Sequence, residues 1–403
     1  MASMTGYSQP GAKLADLRVA LVHYWLMRRR GGERVIETLA EMFPQADLFT
    51  MFMDESWLKS SLGSHKITTS FLQKFPGLKR HYRKLLPLFP LALEQFRLED
   101  YDLVISSESG PAEGVLTRPN TCHICYCHTP PRYVWDMYHY YQSTALGGKF
   151  GRALYALTAH YIRGWDYAAS QRVDYFAASS RNASARIRKY YRREAEVIYP
   201  PVDIASFSLT SGQDDFYLVV SPLVSYKRID LAVGACNALK RRLIVIGEGE
   251  QRSALRRMAG PSVTFLGFQP DEVIRDYYCR CRAFLFPGED DIGLTPIEAQ
   301  ASGRPVIAYG RGGALETVKG FFVEDSPRPE SSSGIFFGEQ TVASVVEALR
   351  VFESVEPRFS SAFIRSQVER FDVSRFKAEM GAFIAKKMAE FQDASRKVSA
   401  AGY

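Results

Sequence analysis

Residues 286–316 read FPGEDDIGLTPIEAQASGRPVIAYGRGGALE. A short apolar strand, AFLFP (283–287), ends at a proline, and acids cluster behind it at Glu289, Asp290 and Asp291. A glycine-containing turn, IGLT, follows. Pro296 then opens a helix, where its fixed φ is already suitable. The first N–H groups of a helix have no partner inside it and favour an anion. Here they belong to Gly293, Leu294 and Thr295. Asp290 and Glu298 stand eight residues apart, so one can face a ligand ahead of the helix while the other lies a turn inside it. Either carboxylate alone would be an ordinary complement to the helix dipole. The strand PVIAY (305–309) closes the unit. Strand, helix and strand in that order signal a parallel α/β sheet, whose ligand groups sit at the carboxyl ends of its strands.

The same alternation runs outward in both directions. The second half carries strand candidates FYLVVS (216–221), RLIVIG (242–247) and VTFLG (263–267). Helices are expected near 229–239, 250–259, 271–279, 295–302 and 341–353. The first half offers RVALVH (18–23), DLVISS (102–107), CHICYC (122–127) and DYFAAS (174–179), with helices near 33–43, 151–171 and 181–191. Between the halves, EVIYPP (196–201) ends a strand in two prolines, which make a rigid extended connector. The expectation is therefore a leader over 1–16, an α/β domain over 17–200, a second over 201–373, and a last helix over 374–395 that closes the second domain or crosses back to the first.

Three further segments sit where such sheets bind ligands. The strand RVALVH leads to Gly31 and Gly32 at a helix start, where backbone can approach an anion closely. This is not a GxGxxG fingerprint, and a Rossmann dehydrogenase is disfavoured. CHICYC ends in HTPPRYVWD, which puts His128 at a strand's carboxyl edge. CHICYCH invites a zinc reading, but a second ligand pair is missing and the spacing fits strand alternation. SPLVSYKR (221–228) follows a strand, and Lys227 there can neutralise a diphosphate as a compact charge.

Composition sets wider limits. The chain has 403 residues and a net charge of +7, and six cysteines lie in apolar segments, as reduced core cysteines do. A cytoplasmic location is expected. No run is long and apolar enough for a transmembrane helix. Residues 1–210 hold 26 Lys and Arg against 19 Asp and Glu, and the remainder holds 25 of each. The excess charge thus lies in the first half, mainly at Lys74, Lys79, Arg80, Arg83 and Lys84, and at Arg186, Arg188, Lys189, Arg192 and Arg193. The first cluster abuts LLPLFPLAL (85–93), a pairing that suits an anionic membrane surface; a solvated basic face is the plainer alternative. No nucleic-acid-binding signature accompanies the charge, so no nucleic-acid partner is expected.

Together these segments resemble family 4 of the retaining glycosyltransferases, over nearly the whole chain. GGERVIE, HICYCHTPPRYVWD, EVIYPPVD and YKRIDLAV look like stretches of the bacterial mannosyltransferases of O-antigen and exopolysaccharide assembly. The resemblance implies the GT-B fold, two Rossmann-like domains facing across a cleft. It implies transfer of a hexose, mannose from GDP-mannose, onto a lipid-linked oligosaccharide at the inner face of the plasma membrane. It further implies that Gly32 approaches the donor phosphate and that His128 and Asp290 touch the transferred sugar. Lys227, with Arg228 beside it, binds the diphosphate. The amides of Ile292, Gly293, Leu294 and Thr295 contact sugar and phosphate, Glu298 holds the ribose, and Gly267 and Phe268 border the base. No metal or other cofactor is required, because Lys227 and the amides replace the cation. Two positions depart from the family pattern: Pro222 stands where it has Arg, and Asp290 where it has Glu. A degenerate, scaffold-like member is the alternative reading.

Overall fold

The apolar runs become strands, and the strands assemble into two separate parallel sheets of seven. The computed structural model describes residues 16–27, 31–108, 110–145, 148–210 and 212–400. The expected leader lies outside them except for Asp16. One compact unit runs to Pro201 and resumes at Phe376; the other is Val202–Arg375.

The first sheet contains β1 (Val19–His23), β2 (Asp47–Thr50), β3 (Ile67–Thr69), β4 (Leu103–Glu108), β5 (Cys122–Cys127), β6 (Tyr175–Ala178) and β7 (Ala195–Val197). Their order is β3-β2-β1-β4-β5-β6-β7. The second contains β8 (Tyr217–Val220), β9 (Leu243–Ile246), β10 (Val263–Gly267), β11 (Phe284–Phe286), β12 (Val306–Tyr309), β13 (Gly320–Phe322) and β14 (Gly334–Phe337), ordered β10-β9-β8-β11-β12-β14-β13. Strands such as VALVH and CHICYC are buried along their whole length. Parallel strands covered on both faces therefore read as unbroken apolar runs instead of alternating ones. Each order reverses once, between β1 and β4 and between β8 and β11. Such a reversal leaves a crevice at the carboxyl ends of the two flanking strands.

Four strands escape the sequence reading. β2, β3, β13 and β14 have three or four residues each, and β3 and β13 are edge strands, where burial is incomplete. The stretch 85–93 is not one surface stripe. It folds as a tight turn, Tyr82–Leu88, followed by the helix Phe89–Glu94. Leu85, Phe89, Ala92 and Leu93 enter the core with Val22, Phe49 and Phe52, while Leu88 and Leu91 stay outside. Helical spacing sends alternate apolar residues inward.

The last helix, Val373–Ala400, is longer than expected. Phe376, Met380, Phe383, Ile384 and Met388 form one of its faces and pack on the first sheet's core beside Leu21, Ile124 and Tyr126. The Phe376 and Tyr126 rings meet edge to face at 5.6 Å. Each such side chain contributes about 1.5–3 kcal/mol of burial before ordering costs. All six cysteines are buried and free. No described helix is long and apolar enough to cross a membrane.

Candidate functional site

At the second reversal point, the loop leaving β8 carries Lys227 and the loop leaving β11 carries Asp290. Their side chains form an ion pair. The ammonium is 12% exposed and the carboxylate 26%, so the pair is screened from bulk water but not sealed. Lys227 Nζ also lies 5.5 Å from the Tyr226 ring centre and 6.0 Å from that of Phe286. Directly after Asp290, Gly293 (φ +73°) caps the helix Leu294–Ala301. The helix thus starts two residues before Pro296, earlier than expected. The first-turn amides of Leu294 and Thr295 have no intrahelical acceptor, and both residues are half-buried.

Glycines allow this loop to exist. A Cβ on Gly293 would lie 2.9 Å from the Phe286 ring, and a Cβ on Gly288 would lie 2.7 Å from Lys227 Cα. A Cβ on Gly313 would strike Ile292 Cα at 2.4 Å. The Gly313 amide donates to the Asp290 carbonyl at 2.8 Å. The GRGG stretch after β12 is therefore the floor under the acidic loop.

The other expected donor residues are more dispersed. Glu298 is buried one turn into the helix and accepts a hydrogen bond from the Tyr278 hydroxyl at 3.0 Å. Arg228 pairs with a different carboxylate. It adopts a left-handed conformation (φ 51°) and its guanidinium binds Asp230 at 3.0–3.3 Å. Gly267 (φ +73°) ends β10, the edge strand, and Phe268 beyond it is 76% exposed. Two strand spacings, about 10 Å, separate β10 from β8, so these two residues belong to the rim.

At the first reversal point, Gly32, His128, His23, Tyr24 and Ser107 converge. A Cβ on Gly32 would lie 3.0 Å from Tyr24 Oη, 3.6 Å from His128 Nε2 and 3.8 Å from His23 Cε1. The Ser107 hydroxyl is 3.1 Å from His128 Nε2, and the Ser179 hydroxyl donates to the His128 carbonyl at 2.7 Å. His23 Nδ1 lies 3.1 Å from the Ser107 carbonyl. A carbonyl only accepts, so Nδ1 carries the proton. Burial, reinforced by His128, holds the His23 pKa down at about 3, and burial holds that of His128 at about 4. Both rings are neutral at pH 7 and act through hydrogen bonds, not charge. Buried Glu33 already occupies the first turn of the helix Gly31–Met42, so that dipole is partly complemented. His123 faces Ser106 at 2.9 Å inside the sheet, and no metal-holding group of three or more ligands occurs among the described residues.

The family model described as Glycosyltransferase Family 4 matches residues 29–206, and the model described as Glycosyl transferases group 1 matches residues 215–334. The chain belongs to glycosyltransferase family 4. Among curated family relatives, the α-1,3/1,6-mannosyltransferase ALG2 of Saccharomyces cerevisiae is 22% identical over 319 residues, 66% of this chain and 61% of that protein. A glycogen synthase of Pseudomonas aeruginosa is 31% identical, over 36% of this chain and 28% of its own length. The chain thus spans less than two thirds of either relative. A GDP-mannose-dependent α-(1-6)-phosphatidylinositol monomannoside mannosyltransferase of Mycobacterium tuberculosis is 31% identical over 126 residues, 27% of this chain and 33% of that protein. Anabaena HepE, solved with UDP, superposes with a TM-score of 0.65 at 14% identity, covering 92% of this chain and all of its own. The family 4 chain has the GT-B fold.

Reading the sequence did not find His23, Tyr24, Ser107, Tyr278 or the packing roles of Gly288 and Gly313. Only the two glycines had a usable signal, as each borders a ligand loop after a strand. His23 and Ser107 look like ordinary strand residues until the β1–β4 pairing sets them side by side.

Proposed function

We propose that this chain transfers a hexose, mannose from GDP-mannose, to a growing lipid-linked glycan in surface polysaccharide assembly, with retention at the anomeric carbon. The observation that carries the reading is the Lys227–Asp290 ion pair beside an open helix start, where the second sheet reverses. A carboxylate holds the cation in the free protein. An arriving diphosphate brings more negative charge to the same ammonium and frees Asp290 for sugar hydroxyls. As the bond from the anomeric carbon to phosphate breaks, Lys227 and the amides of Ile292, Gly293, Leu294 and Thr295 stabilise the charge growing on the leaving group. The acceptor hydroxyl bonds to that carbon from the same face and gives its proton to a leaving phosphate oxygen. Glu298, steadied by Tyr278, holds the ribose; Gly267 and Phe268 border the base; Gly32 and His128 serve the sugar and acceptor side. No metal enters this scheme.

The names of the yeast and mycobacterial relatives support mannose, and the latter supports GDP. Incubation with a panel of nucleotide sugars and a lipid-linked acceptor should release GDP from GDP-mannose. Release of no nucleoside diphosphate from any donor would end the reading. A second reading, a non-turning nucleotide-sugar binder, draws on Pro222 and on the occupation of Lys227 by Asp290. Calorimetric donor binding without product would favour it.

A further inference from the structure

The helix Gly148–Ser170 has two apolar faces, and only one is covered. Tyr155, Ala159 and Ile162 pack inward with Val134, Trp135 and Leu86. On the other side, Phe150, Leu154, Leu157 and Tyr161 are 79%, 55%, 71% and 52% exposed. At 100° per residue these four fall within an arc of about 60° and form a continuous stripe about 17 Å long. Scattered exposed apolar residues are normal, but an aligned stripe of four large ones marks an interaction surface.

The surrounding charge identifies what covers it. Asp166 is the helix's only carboxylate; it is 1% exposed and accepts a hydrogen bond from Trp135 Nε1 at 2.8 Å. No carboxylate is therefore exposed along these 23 residues; exposed Lys149 flanks the stripe at about 110° from its centre, and exposed Arg152 lies on the far side of the helix. The turn Tyr82–Leu88 packs against this helix and adds exposed Arg83 and Lys84, with exposed Leu88 at its end. We infer that this helix lies in the plane of an anionic bilayer and inserts Phe150, Leu154, Leu157 and Tyr161 among its acyl chains. An exposed apolar helix face with a lysine at its flank and no exposed carboxylate on its helix suits that boundary, where apolar side chains sink about 5–10 Å. The inference deepens the proposed lipid-linked acceptor by stating how the enzyme reaches it.

Vesicle flotation tests it, with phosphatidylcholine alone and with phosphatidylglycerol added. The full chain should bind the anionic vesicles, and the Leu154→Glu/Leu157→Glu variant should bind at least about 10-fold more weakly. Its nucleoside diphosphate release with a detergent-solubilised acceptor should be unchanged. Leu157→Trp, which keeps the position apolar, should show a blue-shifted emission quenched by brominated lipid. Equal vesicle binding by wild type and the double variant, or no quenching, overturns the inference. So does a wild-type dimer that the double variant abolishes, with no vesicle binding by either. Vesicle binding without nucleoside diphosphate release from any donor would instead sink the catalytic reading and leave this surface standing.

Discussion

The two sheets reverse at matching places and hold opposite chemistry there. The first gathers uncharged groups, two histidines whose pKa values are pressed down to about 3 and about 4, around a serine and a glycine. The second holds an ion pair next to a helix start. Depth sets His23 apart from the half-buried Lys227 and Asp290. His23 is 0% exposed, and burial disfavours its charged form. Lys227 and Asp290 keep some contact with water and neutralise each other. Topology supplies two comparable crevices, and the loop residues decide which can hold an anion.

Removing charge should therefore matter more than removing a hydrogen bond. Lys227→Ala should lower kcat/KM for nucleoside diphosphate release by about 100- to 1,000-fold, the size of one lost preorganised donor. His128→Ala, which loses a neutral hydrogen-bond group, should cost about 10-fold. Equal losses would erase the proposed division between the halves. Asp290→Asn sharpens it: the freed ammonium should bind nucleoside diphosphate more tightly by calorimetry while turnover falls.

The glycines should separate by stability. Gly293→Ala forces a side chain onto φ +73° and a methyl to 2.9 Å from Phe286. A loss of about 1–3 kcal/mol follows, and the Tm of the second unit should drop by about 2–4 °C per kcal/mol. Gly32→Ala meets the end of the Tyr24 side chain at 3.0 Å and gains helix propensity, so its Tm should hardly move. A larger fall for Gly32→Ala in thermal melts would reverse the ranking.

The smallest effect is an absence of titration. NMR of labelled imidazoles should show His23 and His128 neutral from pH 8 down to pH 5. In the unfolded chain they protonate near pH 6.5. The unfolded state thus binds more protons below that pH, and the stability tied to these rings is complete above pH 6.5 and declines as pH falls. For a buried ring such as His23 the loss between pH 7 and pH 5 is about 2 kcal/mol. Buried Asp166 works the other way: its carboxyl is raised well above the usual range by burial and by Glu113, so its contribution is lost as pH rises. Ring titration is cleaner than melting for this reason. A His23 midpoint near 6.5 would refute the buried, neutral cluster.

Local order was legible in the residues alone. Apolar runs, turn glycines and helix-start chemistry act over a few neighbours, so most strand positions, the acidic turn at 289–293 and the helix carrying Glu298 could be read directly. Only the tertiary structure decided the rest, since it depends on residues far apart in sequence. Lys227 meets Asp290 across 63 residues, Gly313 reaches under Asp290, and Tyr278 takes one side of Glu298. The last helix joins the first sheet because its apolar face finds that core. The helix at 148–170 is apolar on two sides in sequence, and packing alone determines which side is covered and which is left exposed.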